Sequence, residues 1–176
     1  MKVLVVVDMQ NDFITGPLGT PEAQAIVPKV CDVINSDDYG DIYYTMDTHD
    51  KNYLRTREGK MLPVEHCIED SHGWYIEPYV WEAGVKAYER TECSVYRVHK
   101  GTFSSYRLAK KLSFATDIDI CGVCTDICVI SNALMLRSCV PRANIRVIAS
   151  ACAGTTPEMH QKALDVMRSC QIEVVE

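Results

Sequence analysis

Three side chains able to work on a carbonyl stand far apart in this chain: Asp8, Lys100 and Cys128. Cys128 lies in Gly122-Val123-Cys124-Thr125-Asp126-Ile127-Cys128-Val129, a pattern of strand, turn and helix start. A thiol in a first helical turn meets the positive end of the helix dipole, so its pKa is expected to fall below the ordinary ~8.5. Backbone N–H groups of the same turn suit an oxyanion hole, worth about 3 kcal/mol of barrier. A carboxylate beside the thiol would take its proton and later hand it to a leaving amine. An ammonium would hold the two as a charged cluster. Each residue alone also has a bland reading: a buried helix cysteine, a strand-end cap, a solvated lysine before Gly101. What argues for chemistry is their coincidence at strand ends, beside a candidate metal pair, Asp47 and His49.

The elements that must position these residues alternate. Strands are expected at 2–7, 41–46, 95–98, 118–121, 145–149 and 172–175, and helices at 22–36, 104–112, 125–137 and 157–170. Thr20-Pro21 and Thr155-Thr156-Pro157 read as helix starts, each with a capping hydroxyl and a proline in the first turn. The strands are continuous apolar runs, Val3-Leu4-Val5-Val6-Val7 above all, which marks burial on both faces. The alternation predicts an α/β fold with a mostly parallel sheet. In such sheets the ligand crevice lies beyond the carboxyl ends of the strands. Asp8, Asp47, His49, Lys100 and the Cys124–Cys128 segment all fall there. Residues 48–73 read as a long polar loop of the kind that usually carries function, and 74–93 has no clear period.

The chain has 176 residues, a formal net charge of −6 and nine cysteines. At roughly 150 residues per domain, residues 1–176 form one domain. No basic run suits nucleic acid, and no stretch approaches the ~20 apolar residues of a membrane span. An odd cysteine count, no secretory signal and cysteines inside apolar periodic segments point to reduced thiols and a cytoplasmic protein. His72, His99 and His160 read as surface or helix histidines, and Asp37-Asp38 as a solvated helix end. Trp74, Tyr75, Tyr79 and Trp81 read as packing or a subunit interface.

Taken in order, the motifs resemble those of the isochorismatase-like cysteine hydrolases. Asp8-Met9-Gln10-Asn11-Asp12-Phe13 is similar to that family's opening signature. Lys100-Gly101-Thr102-Phe103-Ser104-Ser105 is similar to its lysine segment, and Cys121 through Val129 to its nucleophile segment. The resemblance spans essentially the whole chain. It implies a three-layer, Rossmann-like parallel sheet of about six strands with helices on both faces. It implies an Asp8–Lys100–Cys128 triad, and a cis Val123–Cys124 peptide that turns the N–H groups of Cys124 and Cys128 into an oxyanion hole. Asp47-Thr48-His49 followed by His66 looks like the metal site of the nicotinamidase branch, with Glu58 as a further carboxylate. Such a set suits Zn²⁺, with Mn²⁺ or Fe²⁺ as alternatives. Leu62-Pro63-Val64-Glu65-His66-Cys67 departs from the branch: it has leucine for an aromatic, and one extra residue before His66. Phe13, Trp74 and Tyr106 are the candidates to stack on a substrate ring.

The activity implied is that of an amidohydrolase. Cys128 attacks a small carboxamide, ammonia leaves with a proton from Asp8, and water cleaves the thioester. Nicotinamide going to nicotinate is the best single substrate. The alternatives are a hydrolase of another small amide, a thiol redox protein using Cys121 and Cys124, and a catalytically silent member. The resemblance also favours a homo-oligomer.

Overall fold

The computed structural model describes residues 1–36 and 39–176; the expectation for Asp37-Asp38 lies outside them. Among the described residues, six strands form one sheet: β1 (Lys2–Val7), β2 (Asp41–Asp47), β3 (Ser94–Lys100), β4 (Asp117–Val123), β5 (Asn144–Ala153) and β6 (Glu173–Val175). Their order is β3-β2-β1-β4-β5-β6, and every neighbouring pair is parallel. The three central strands β2, β1 and β4 are buried almost throughout, as unbroken apolar runs require.

The connections carry α1 (Asn11–Ile14), α2 (Pro21–Ala25), α3 (Val27–Ser36), α4 (Arg57–Met61), α5 (Pro78–Thr91), α6 (Tyr106–Lys111), α7 (Ile130–Cys139) and α8 (Pro157–Ser169). From β1 the chain steps one way across the sheet to β2 and β3, and from β4 the other way to β5 and β6. Right-handed crossovers then place the two sets of helices on opposite faces. The packing agrees: α3 lies against α5, and α7 between α6 and α8. No helix among the described residues is long and apolar enough to cross a membrane.

Both helix starts form as the sequence predicts. The Thr20 hydroxyl accepts from Ala23 N at 3.0 Å, and that of Thr156, not Thr155, from Met159 N at 3.1 Å. The helix expected over 22–36 is divided at Ile26, because Pro28 has no N–H to give to a carbonyl four residues back. The segment without clear period contains α5, whose buried positions are Val80, Ala83, Gly84 and Ala87. Their spacing is helical, but the residues are too small to register as a hydrophobic stripe. Of the aromatic cluster, Trp74 is buried, whereas Tyr75 and Tyr79 are exposed. β5 runs to Ala153, four residues further than expected, with its register against β4 shifted between Ile120 and Gly122.

Gly122 sits beside β1 with φ 117, and a Cβ there would run into the Val7 carbonyl oxygen. Gly122→Ala is expected to cost about 2–4 kcal/mol through combined backbone strain and overpacking. Urea unfolding should show a lower midpoint at unchanged m value.

Candidate active site

Four parallel strands deliver their carboxyl ends to one edge. Asp8 follows β1 with φ 48, an uncommon conformation for a residue with a side chain. Asp47 and Lys100 end β2 and β3 and face each other in register. Cys128 lies in a π-turn, Thr125–Val129, entered directly from β4. The Lys100 Nζ is 2.6 Å from Asp8 Oδ2, 3.6 Å from Cys128 Sγ and 3.6 Å from Asp47 Oδ1. Asp8 is wholly buried, and Lys100 and Cys128 nearly so. The Thr45 hydroxyl donates to Asp8 Oδ1 at 2.6 Å and accepts from Asp8 N at 3.2 Å.

Burial pushes the Asp8 carboxyl up, and the Lys100 ammonium offsets only part of this. Burial also works against the Lys100 ammonium, but Asp8, Cys128 and Asp47 outweigh it and hold its pKa above the ordinary value. Burial, followed by the Asp8 charge, pushes the Cys128 thiol well above its usual value. The lowered pKa expected from the helix dipole is therefore not found. Removal from water costs a thiolate more than the partial charge at a helix end returns, so burial favours the thiol over the thiolate. The Val123–Cys124 peptide is cis. The Cys124 carbonyl accepts from Ile127 N and Val129 N, both at 3.0 Å, the wide closure of a π-turn around Cys128.

Beside this cluster, one donor atom from each of Asp47, His49, Glu58 and His66 lies within 4.8 Å of the others. Asp47 Oδ2 is 3.0 Å from His49 Nε2 and 3.4 Å from His66 Nε2, and Glu58 Oε1 is 3.8 Å from His49 Nε2. His66 Nδ1 donates to the Val64 carbonyl at 2.8 Å, which turns Nε2 inward. Burial raises the Asp47 carboxyl, but bonds from His49 and His66 and the Lys100 charge outweigh it and hold it well below the usual range. This donor set fits a divalent cation, because ligands sharing a metal at ~2.1 Å stand about 3–3.5 Å apart. Cys67, next to His66, takes φ 46 and donates its N–H to Asp12 Oδ2 at 2.7 Å. The opening motif is thus scaffolding as well as chemistry. Gln10 clasps the Asp47 main chain, donating to its carbonyl at 2.8 Å and accepting from its N–H at 2.7 Å.

A cavity of about 300 Å³ opens onto both clusters, lined among others by Phe13, Leu62, His66, Phe103, Cys124 and Cys128. Of the proposed ring partners, Phe13 lines it. Trp74 is turned away, its indole N–H donating to Thr48 Oγ1 at 2.9 Å, and Tyr106 stands exposed at the start of α6. Sequence reasoning missed Phe103, and it missed Tyr53, whose ring packs 4.6 Å and 4.9 Å from the His49 and His66 rings. It also placed His160 among bland histidines. In the structure His160 Nδ1 is 2.8 Å from the hydroxyl of wholly buried Thr125, at the base of the π-turn. Cys121 and Cys124 are both free thiols, and Cys121 is sealed inside β4.

A family model described as Isochorismatase domain matches residues 2–176. The chain belongs to the isochorismatase domain family. Its relatives in that family include the nicotinamidase of Schizosaccharomyces pombe, 24% identical over 98% of this chain and 91% of the relative. The nicotinamidase/pyrazinamidase of Mycobacterium tuberculosis is also 24% identical, over 99% of this chain and 98% of its own. Among solved structures, the pyrazinamidase/nicotinamidase of Streptococcus mutans superposes with a TM-score of 0.83 at 25% identity, covering 99% of this chain and 100% of that one. The Pyrococcus horikoshii pyrazinamidase in complex with zinc gives 0.78 at 27% identity, covering 99% and 98%.

Within this isochorismatase domain, Thr45 is the hydroxyl that satisfies the buried Asp8. Thr45→Val is expected to lower stability by about 1–3 kcal/mol, since it strands the buried Asp8 Oδ1 without changing side-chain shape, while Asp8 N keeps the Thr45 carbonyl at 3.3 Å. Chemical unfolding of the purified variant checks this.

Proposed function

We propose that this chain is a cysteine amidohydrolase converting nicotinamide to nicotinate and ammonia. The observation that carries the reading is the Lys100 ammonium in reach of both Asp8 and Cys128, with Cys128 lining the cavity. The substrate assignment is supported by the relatives, each named as a nicotinamidase or a pyrazinamidase.

In this reading Asp8, its carboxyl raised by burial, takes the proton of the Cys128 thiol. The sulfur adds to the amide carbon, and the N–H groups of Cys124 and Cys128 receive the oxyanion. The C–N bond then breaks, Asp8 returns its proton to the departing nitrogen, and ammonia leaves a thioester on Cys128. Water adds to the thioester and gives a proton to Asp8. The C–S bond breaks, Asp8 returns its proton to the sulfur, and the acid departs, giving up its own proton in solution to the released ammonia as it becomes nicotinate. Lys100 stays protonated throughout, as counter-ion to whichever of Asp8 and Cys128 is negative. Phe13 offers the ring an apolar wall. Asp47, His49 and His66, with Glu58, would hold a divalent metal, Zn²⁺ first and Mn²⁺ or Fe²⁺ as alternatives. When bound, it supplies a Lewis-acidic point for the ring nitrogen or a water. The zinc of the P. horikoshii relative supports that assignment.

Cys128→Ala is expected to abolish ammonia release from nicotinamide while the variant still unfolds cooperatively. Turnover in that variant would sink the assignment. Zn²⁺ added to chelator-treated protein at a hundredfold excess over its Kd should add about 2.7 kcal/mol of stability. His66→Ala should abolish this gain, and a Zn²⁺-independent melting curve for the parent would count against the metal site.

A further inference from the structure

We propose that Asn132 is a positioning residue that sets the approach of the Lys100 loop to the Cys128 turn, an inference that rests on reading Cys128 as the nucleophile. Asn132 lies in the first turn of α7, one helical turn beyond Cys128, and is 1% exposed. Its Nδ2 donates to the Cys128 carbonyl at 2.8 Å and to the Phe103 carbonyl at 3.0 Å. Its Oδ1 accepts from Ser105 N at 3.1 Å. The partners fix the amide's orientation: two carbonyls face the nitrogen and one N–H faces the oxygen.

These partners belong to two separate segments. Cys128 is in the π-turn, while Phe103 and Ser105 belong to the loop that begins immediately after Lys100. The Ser105 hydroxyl accepts from Leu108 N at 3.1 Å, so the far end of that loop is tied to α6. Asn132 therefore holds both sides of the Lys100–Cys128 contact by their main chains, without touching the reacting atoms. It also fixes Phe103, which lines the cavity at its mouth. A leucine would fill similar space but would leave three main-chain groups without this partner.

Three variants separate the two effects. Asn132→Thr keeps a hydroxyl able to bond the carbonyl four residues back, but it is too short for the loop. Asn132→Leu loses all three bonds. Asn132→Asp keeps an acceptor for Ser105 N but sets oxygens against two carbonyls. Kinetics of ammonia release from nicotinamide, the rate of Cys128 alkylation by iodoacetamide at fixed pH, and Tm are measured on each. For Asn132→Thr, which keeps the bond to the Cys128 carbonyl but severs the loop, kcat should fall and alkylation should slow as well, by less than in the other two variants. For Asn132→Leu and Asn132→Asp, kcat per folded molecule should fall by up to about 100-fold, as misplacement of reacting groups by an ångström does. Alkylation should slow with it, as the sulfur loses its ammonium partner. Parent-like kcat and alkylation rates in Asn132→Leu overturn the proposal, as does a loss of activity in all three variants that only tracks Tm. If Cys128→Ala remains active, the amidase reading fails. The alkylation rates then still decide whether Asn132 sets the Lys100–Cys128 approach.

Discussion

A lysine ammonium sealed between two carboxylates and a thiol is the interaction on which this edge of the sheet depends. Asp8 and Asp47 are buried within each other's electrostatic reach. Two carboxylates so placed do not both stay ionised without a cation. The anionic neighbours in turn hold the Lys100 pKa above its ordinary value against the effect of burial. Removing one partner from such a cluster strands the others and typically costs about 3–5 kcal/mol. The cluster therefore stands or falls as a unit, and the strands that carry it must end where they do.

The strand order makes that unit reachable. β3 is separated from β1 by β2, a gap of about 10 Å at ordinary strand spacing. A long flexible lysine and a short aspartate span it together. The pairing of Asp47 with Lys100 sets the first half of the span, and the pairing of Val7 with Thr45 sets the second. Gln10 then locks the ends of β1 and β2 together through the Asp47 main chain. On the far side of β1, Gly122 lets β4 approach closely enough for the π-turn to present Cys128 to the same ammonium. The candidate metal-binding group shares Asp47 with this unit: one carboxylate oxygen faces Lys100 and the other faces the two imidazoles.

Much of this was legible in the sequence because it is written locally. Unbroken apolar runs mark buried strands, Thr-Pro pairs mark helix starts, and reactive residues at strand ends mark a crevice. Readings that depend on neighbours distant in the chain were not legible. α5 escaped because three of its four buried positions are alanine or glycine, which give little periodic signal, with Gly84 packed closely against Tyr44. Tyr53, Phe103, Asn132 and His160 act through contacts that exist only once loops and helices have docked. The direction of the Cys128 pKa shift was misjudged for the same reason. The helix dipole is visible in a sequence, whereas the depth of burial that overrides it belongs to the whole fold.

That depth of burial is also what makes the proposed chemistry workable. Desolvation raises the Asp8 carboxyl and the Cys128 thiol alike. Moving a proton from sulfur to carboxylate therefore exchanges one buried anion for another beside the same ammonium, with no net charge created in a low-dielectric site. A solvated aspartate would be a poor base for a thiol, since their ordinary pKa values lie more than about four units apart. Burial does not remove that difference, but the fixed cation lets the charge migrate between two oxygens and a sulfur without reorganising water.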